Sequence, residues 1–593
     1  MGEFSGAILE ADRGTIDIHQ TAPGSDGTSL IEIYNTALSA ETISIASSGD
    51  LELGLEGSIF IDGVTLSLTA ANNLTMEGDT FEATATNSSG NVTITAGNTL
   101  TVNDDLTISR TNSGRTTGLD LKITAGADLT VAGSLSLSTD ISGLESGGNI
   151  LVNAGGSITT DGDLSAYATE MEVARFGGVI NAESEGLGTV TVHADGIISV
   201  GGRLNVLGEV SAGGAITAST LSSTNVSSDV SINALSGGIT PFSIPGSFPF
   251  DVLHTLTAPV VTSTGGINFD GANANGDSSV ATNGGNLTIN ADSLSFGFLP
   301  AGLVGQLGLT PGDIIGPVTF NGGDGSSTFD PADGGTFTVN TTGSITVNSD
   351  IEATSGHFQP TLSATPSGFG GTVNLNSTNG AVTVNNRIEV SSAEPASTIA
   401  PFRQSARGGN INLTSGKTSG VAISVNSSAQ LLALLDSAAT GPGGKITILA
   451  SATNNAGNSS SINIDNTSGQ IVANGTGGTV DIEHHGESGT INISNANIHA
   501  DVVKIGALGT NGTLTIGNGA TNMIGADSIL KLYAPGSNGE LKFVSNVTLS
   551  SGSAMYLAAG TITINPTFVV TISGAGGAAN IYTNHSNYNF TPQ

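Results

Sequence analysis

The chain has 593 residues, 85 of them glycine, and sets 14 Lys and Arg against 49 Asp and Glu for a net charge of −35. It has no cysteine, which excludes a disulfide scaffold, a thiol nucleophile and Cys-ligated zinc or iron–sulfur centres. Its few cations exclude a nucleic-acid surface, no apolar run of about 18 residues is present to span a bilayer as a helix, and a hydrophobic fraction of 37% argues against disorder.

The first residues, MGEFSGA, show no charged stretch followed by an apolar one, so no signal peptide is expected there. From Gly90 a phrase begins to repeat. Residues 90–109 read GNVTITAGNTLTVNDDLTIS, 119–140 read LDLKITAGADLTVAGSLSLSTD, and GGNILVNAGGSITTDGDLSAYA starts at Gly147. GTVTVHADGIISVGGRLNVLG follows at Gly188. Later copies open on a glycine pair at Gly334, Gly370, Gly408, Gly443 and Gly477, spaced by 36, 38, 35 and 34 residues.

Within a copy the period is two. Val92, Ile94, Leu100, Val102, Leu106 and Ile108 alternate with polar residues, which puts the apolar set on one strand face. Val, Ile and Thr suit a pleated, half-buried surface, and Gly, Asn-Gly and Asp-Gly mark the corners. Each copy therefore predicts three short strands. Such strands bury their apolar face only by stacking on their own copies. The fold class expected is all-β: a parallel β-helix, right-handed by the general preference of parallel crossovers, with about 17 coils at the ordinary strand spacing of about 4.8 Å. Antiparallel sandwiches would not give a phrase recurring at near-constant phase.

The expected organisation is first coils over 1–50, regular β-helix over 51–239, coils with long apolar insertions over 240–330, the ~35-residue repeat over 331–530, and terminal coils with an aromatic cap over 531–593. The cap is read from Tyr533, Tyr556, Tyr582 and Tyr588 beside Phe568 and Phe590. Proline-bearing stretches at 240–261, 296–318, 355–371 and 393–408 are expected to leave the stack as loops. SSAQLLALLDSAA, over 427–439, is helix-like by composition.

Few residues point to chemistry. Asp161 and Asp163 in TTDGDLSA, followed by Glu170 and Glu172, form the best acidic cluster; a spacing of two aims each pair at one side of a strand. Asp161 and Asp163 are carried as metal-ligand candidates. Asp104 and Asp105 fall at a corner. IEHHGESG gives a second candidate. His484 and His485 point to opposite faces, so Glu483 and His485, joined by Glu487, are the set that would share a metal ion. Arg403, Arg407 and Lys417 form the densest basic group and would contact an acidic sugar or a partner carboxylate. No catalytic residue and no cofactor is assigned; loosely bound Ca2+ is expected from the acidity.

The phrases GNVTITAGNTLTVNDDLTI, GNILVNAGGSITTDGDL and GGNINL resemble bacterial exoproteins of the filamentous haemagglutinin type and the passenger domains of autotransporter adhesins. The likeness is one of repeat style over roughly 50–580. It implies a right-handed parallel β-helix, export, and adhesion or self-association. The amino-terminal secretion domain of the first family, with its Asn-Pro-Asn-Gly motif, has no counterpart here. NGGDGSSTFD, ending at Asp330, resembles the calcium-binding nonapeptide of β-rolls, with Ser327 where an Asp is required.

The function expected is that of a non-enzymatic, extracellular structural or adhesive β-solenoid of a bacterial cell surface. Its partners would be surface or matrix glycans or proteins, or copies of itself stacked end to end or side by side. The alternatives are a polysaccharide-active or carbohydrate-binding β-helix and a subunit of a self-assembling extracellular filament. The pectin hydrolases of this fold carry Asn-Thr-Asp, Asp-Asp, Gly-His-Gly and Arg-Ile-Lys motifs; only an Asp-Asp occurs here.

Overall fold

The computed structural model describes the chain apart from residues 1, 6–7, 21–29, 35–36, 56–58, 63–64, 79–80, 84–90, 113–119, 142–148, 163, 171–189, 207–208, 222–229, 235–237, 242–243, 246–252, 258–259, 262–266, 269, 271–282, 293, 298–312, 316–317, 323, 325–331, 357–367, 393–405, 436–440, 451–458, 496, 518–521, 566, 574–577 and 584–593. The described residues are all-β with no helix, so none is long and apolar enough to cross a membrane. The chain divides into two compact units, Met1–Ile244 with His254–Pro259, and Pro245–Leu253 with Val260–Gln593. Each is a parallel β-helix.

In the first unit one coil is built from Val92–Ala96, Leu100–Val102 and Leu106–Asn112. The next is Leu121–Ala125, Leu129–Val131 and Leu135–Ile141. Each strand pairs in parallel, in register, with its counterpart one coil on. Because the side-chain period is two, register carries like onto like. Ile94 lies between Leu68 and Ile123, and the inward column continues through Val152 and Val192. All five are buried, each worth roughly 1.5–3 kcal/mol of burial. Outside, Thr75, Thr101, Thr130 and Thr159 form a hydroxyl column. After Gln20 and Ser47 in the earlier coils, the column at the end of the first strand is alanine: Ala70, Ala96, Ala125, Ala154, Ala194 and Ala212. The chain turns sharply at the next residue, and only a small side chain fits inside that corner. A Cβ on Gly97 would lie 1.9 Å from the Ala71 carbonyl oxygen.

The second unit repeats the plan. Thr372–Ser377, Val382–Val384 and Arg387–Glu389 form one coil, and Asn410–Ser415, Val421–Val425 and Gln430–Leu432 the next. Its inward columns include Ile289, Val339, Leu375, Leu413, Ile448 and Ile482. Phe296, Phe320 and Phe337 fill one part of the core, Phe337 stacked on Phe320 at 4.9 Å and edge-on to Phe296 at 5.7 Å. The recurring glycine pair opens each coil against closely packed backbone. A Cβ on Gly370 would meet the Val390 carbonyl oxygen at 2.0 Å, and one on Gly409 the Gly371 carbonyl oxygen at 2.2 Å.

The corner after the first strand differs from that of the first unit. Thr341, Ser377, Ser415 and His484 share one inward column with Ala291 and Ala450. The hydroxyls turn back to the corner backbone: Thr341 and Ser377 donate to the Gly343 carbonyl at 2.7 and 2.6 Å, and Ser415 to the Gly380 carbonyl at 2.7 Å. Buried polar groups are thereby satisfied locally.

Expectations for three segments are corrected. The helix-like segment 427–439 holds a strand, Gln430–Leu432, paired between Arg387–Glu389 and Gln470–Ala473. Leu431 sits in the core column between Ile388 and Ile471, and that packing overrides helix propensity. Within 240–261, Leu253–Thr257 stays in the stack against Val230–Ala234, with Leu256 buried. The run LHTLT contains no proline; the prolines flank it. Within 296–318, Phe296 is a core residue of the strand Leu294–Gly297, and Asp313–Ile315 pairs with that strand.

Candidate functional site

The richest set of chemistry-bearing side chains lies on the outer face of one ladder of the second unit. Its strands are Lys445–Ala450, Thr479–His484, Asn497–Ala507, Met523–Ala534 and Ala554–Ala559. Val480, Ile482 and His484 point inward and are buried, so Asp481 and Glu483 face out. Register then fixes two outer columns. One runs Thr447, Asp481, Lys504, Lys531, Tyr556; the other runs Leu449, Glu483, Gly506, Tyr533, Ala558.

Glu483 is held from two sides. The Tyr533 hydroxyl donates to its Oε1 at 2.6 Å, and His485 Nε2 lies 2.8 Å from its Oε2. The hydrogen bond from His485, with that from Tyr533, lowers the Glu483 carboxyl below its usual range despite burial. Tyr533 reaches Glu483 because Gly506 stands between them; with no side chain there, the ring lies against the backbone and is buried. Burial and the neighbouring Glu483 push the Tyr533 phenol up, so it is a donor and not a base. Burial likewise raises the Asp481 carboxyl, with Glu483 adding and Lys504 and Lys445 opposing. The Lys531 ammonium stands 5.8 Å from the centre of the Tyr556 ring.

Of the expected metal set, the structure brings Glu483 and His485 together, and the third group at Glu483 is the Tyr533 hydroxyl, a hydrogen-bond donor and not a ligand. Glu487 lies in the following corner, where its carbonyl accepts from the Asn511 amide at 2.8 Å. His484 is the inward partner expected from alternation. Its Nε2 meets Ser460 Oγ at 2.9 Å and its Nδ1 accepts from the Gly486 amide at 3.0 Å. Burial depresses its pKa to about 4, so it is neutral at neutral pH.

Asp161 is exposed at a corner, its amide donating to the Val131 carbonyl at 3.1 Å. Asp163 and Glu172 lie outside the described residues. Glu170 ends the strand Leu164–Glu170. Asp105 is a clamp between coils: its Oδ1 accepts from the Ser134 amide at 2.6 Å, as Asp128 accepts from the Ser157 amide at 2.7 Å. Asp104 Oδ1 accepts the Asp105 amide at 2.8 Å. Among the described residues no three His, Asp or Glu side chains are grouped to hold a metal ion.

The basic group does not converge. Arg403 lies outside the described residues. Arg407 and Lys417 stand at opposite ends of the strand Asn410–Ser415, and its six residues separate them by ~20 Å or more at the usual rise. Arg407 packs 5.4 Å from the centre of the Phe369 ring, which is 38% exposed.

A second charged cluster was not anticipated. Arg387 pairs with Glu352, with Glu389 at 2.7 Å and with Asp350 at 3.6 Å. Glu352 and Glu389 are register neighbours. Burial raises the Glu352 carboxyl; Arg387 opposes the shift, while Glu389, Asp350 and Asp270 reinforce it.

Sequence reasoning also missed Lys504 and Lys531, and it read Tyr533 and Tyr556 as part of a cap where the structure places them in the outer columns of this ladder. The signal lay in the phrases VVKIGA, ILKLYA and AMYLAA, which superpose only when coils of 27 and 25 residues are allowed. Comparison with protein-family models, with curated proteins and with solved structures finds no match to this chain.

Proposed function

We propose that this chain is an extracellular structural or adhesive β-solenoid of a bacterial cell surface, acting through broad surface contact or self-association. The observation that carries the reading is the repetition of one polar side chain along the outer columns. Asn340 donates to Asn290 and Asn376 to Asn340, each at 3.0 Å; Asn412 donates to Asn374 at 2.7 Å; and Asn385 donates to Asn348 at 2.6 Å. A face that repeats the same amide coil after coil offers many equivalent weak contacts, whose sum is strong when they engage together. The carboxylates support the same reading. Asp50, Asp105, Asp120 and Asp128 each accept a backbone amide of the next coil. The net charge of −35 keeps copies apart until a cation or partner bridges them.

The purified chain is expected to bind cells or matrix-coated surfaces multivalently, or to assemble into filaments visible in negative stain when Ca2+ is added. It is expected to release no product from polysaccharides. Release of reducing or unsaturated ends that persists after extensive purification overturns the reading in favour of a polysaccharide-active β-helix.

A further inference from the structure

We infer that the outer column Lys504–Lys531–Tyr556 is a binding track for a carboxylated polysaccharide, a polyuronate chain lying across successive coils. The inference deepens the reading of the chain as a surface-contact protein by naming the ligand class of one face.

Lys504 and Lys531 are direct register neighbours on adjacent parallel strands. Like charges placed so are destabilising; Asp481, the register neighbour of Lys504 on its other side, offsets part of that charge, and the chain places two of its only 14 Lys and Arg residues here. Arrangements that break a local rule mark functional positions. Lys504 takes part in no ion pair among the described residues. Of the acidic groups on the coil before, Glu483 has both oxygens engaged by Tyr533 and His485, and Asp481 makes no ion pair with Lys504. Lys445 adds a third cation near Asp481. Partial burial and the charge of Lys504 both lower the pKa of Lys531; an anion bridging the two ammonium groups would relieve that repulsion.

Tyr556 continues the column by one coil. Its ring carries the Lys531 ammonium and is itself only partly buried. A cation beside an aromatic surface suits a sugar that bears a carboxylate, because the ring takes the sugar's apolar face and the ammonium its charge. The ring discriminates between polyanions: an acidic peptide brings carboxylates to the two ammonium groups but no apolar sugar face for Tyr556 to cover.

The test is calorimetric titration of the full chain with oligogalacturonate, with a neutral oligosaccharide of the same length and with poly-glutamate. Oligogalacturonate should bind, weakening as salt rises. Lys504→Gln and Lys531→Gln should each weaken it about threefold and the double variant about tenfold. Tyr556→Ala should weaken it by a similar factor, and Lys542→Gln, on another ladder, should leave it unchanged. Circular dichroism of each variant checks that the ladder is intact. Absent binding, binding indifferent to the Lys504 and Lys531 variants, or equal binding of poly-glutamate overturns the inference. A chain that fails these tests yet still adheres or assembles leaves the surface-contact reading in place.

Discussion

The Tyr533 hydroxyl donates to Glu483 from two coils away, across a glycine, Gly506, whose missing side chain makes room for the ring. A Cβ at Gly506 would lie 2.2 Å from Tyr533 Cε2. Gly506→Ala should therefore expel the ring and lower stability by about 2 kcal/mol. In a Tyr533→Ala background the same change should cost little, since the two effects are coupled through one contact. Tyr533→Phe should cost about 1–3 kcal/mol, because it leaves a part-buried carboxylate short of a donor. Guanidinium titrations of the four variants check all of this.

His484 should make the fold acid-sensitive. Its folded pKa is depressed from 6.5 to about 4 by burial. Above pH 6.5 it is neutral in both states and neither gains. Below 6.5 the unfolded chain binds a proton that the folded chain refuses, so stability falls as the pH drops from about 6.5 to about 4. The loss is roughly 3 kcal/mol. His484→Ser, the residue used at this column by Ser377 and Ser415, should flatten that slope. Denaturation midpoints measured between pH 7 and pH 4 decide it; an unchanged slope refutes the assignment.

Arg387 should act as a built-in counter-ion. Arg387→Gln leaves Glu352, Glu389 and Asp350 facing one another and should cost about 1–2 kcal/mol at pH 7 after allowance for solvent screening. The Glu352 carboxyl is already raised. A raised carboxyl destabilises when ionised, so the penalty should shrink as the pH falls through its folded value. Added Ca2+ should raise the melting temperature of the variant by more than that of the parent chain.

The corner carboxylates should be replaceable by their amides. Asp105 and Asp128 contribute an acceptor oxygen to an amide of the next coil, a role Asn91 fills for the Asp120 amide. Asp105→Asn should change stability by less than ~0.5 kcal/mol, and Asp105→Ala should cost about 1 kcal/mol. Thermal melts separate the two.

Much of the architecture was legible because a period of two leaves little choice. Ile94, Ile123 and Val152 can only face inward together, and His484 and His485 can only part. The segment 427–439 misled because Leu431, Leu432, Leu434 and Leu435 satisfy helix propensity, whereas the column between Ile388 and Ile471 required just one of them at the centre. The Glu483–Tyr533 contact was hidden for a different reason. Its partners are 50 residues apart, and which outer side chains become neighbours depends on the length of every coil between them. A spacing of 34 to 38 residues, right for the preceding coils, places Tyr533 elsewhere. The same error scattered Lys504, Lys531 and Tyr556. Arg407 and Lys417 were grouped by closeness in sequence alone, and a full strand keeps them apart.

Coil length varies while the first ladder of the first unit keeps its pairing. Val92 pairs with Leu121 at a separation of 29 residues, Ile150 with Val190 at 40, and Val192 with Val210 at 18. Added sequence at a corner is thus insulated from the ladder on either side of it. Foreign peptides grafted between Glu170 and Val190 should leave Ile150 and Val190 paired, which makes this chain a usable frame for presenting epitopes or tags at chosen coils of a β-helix.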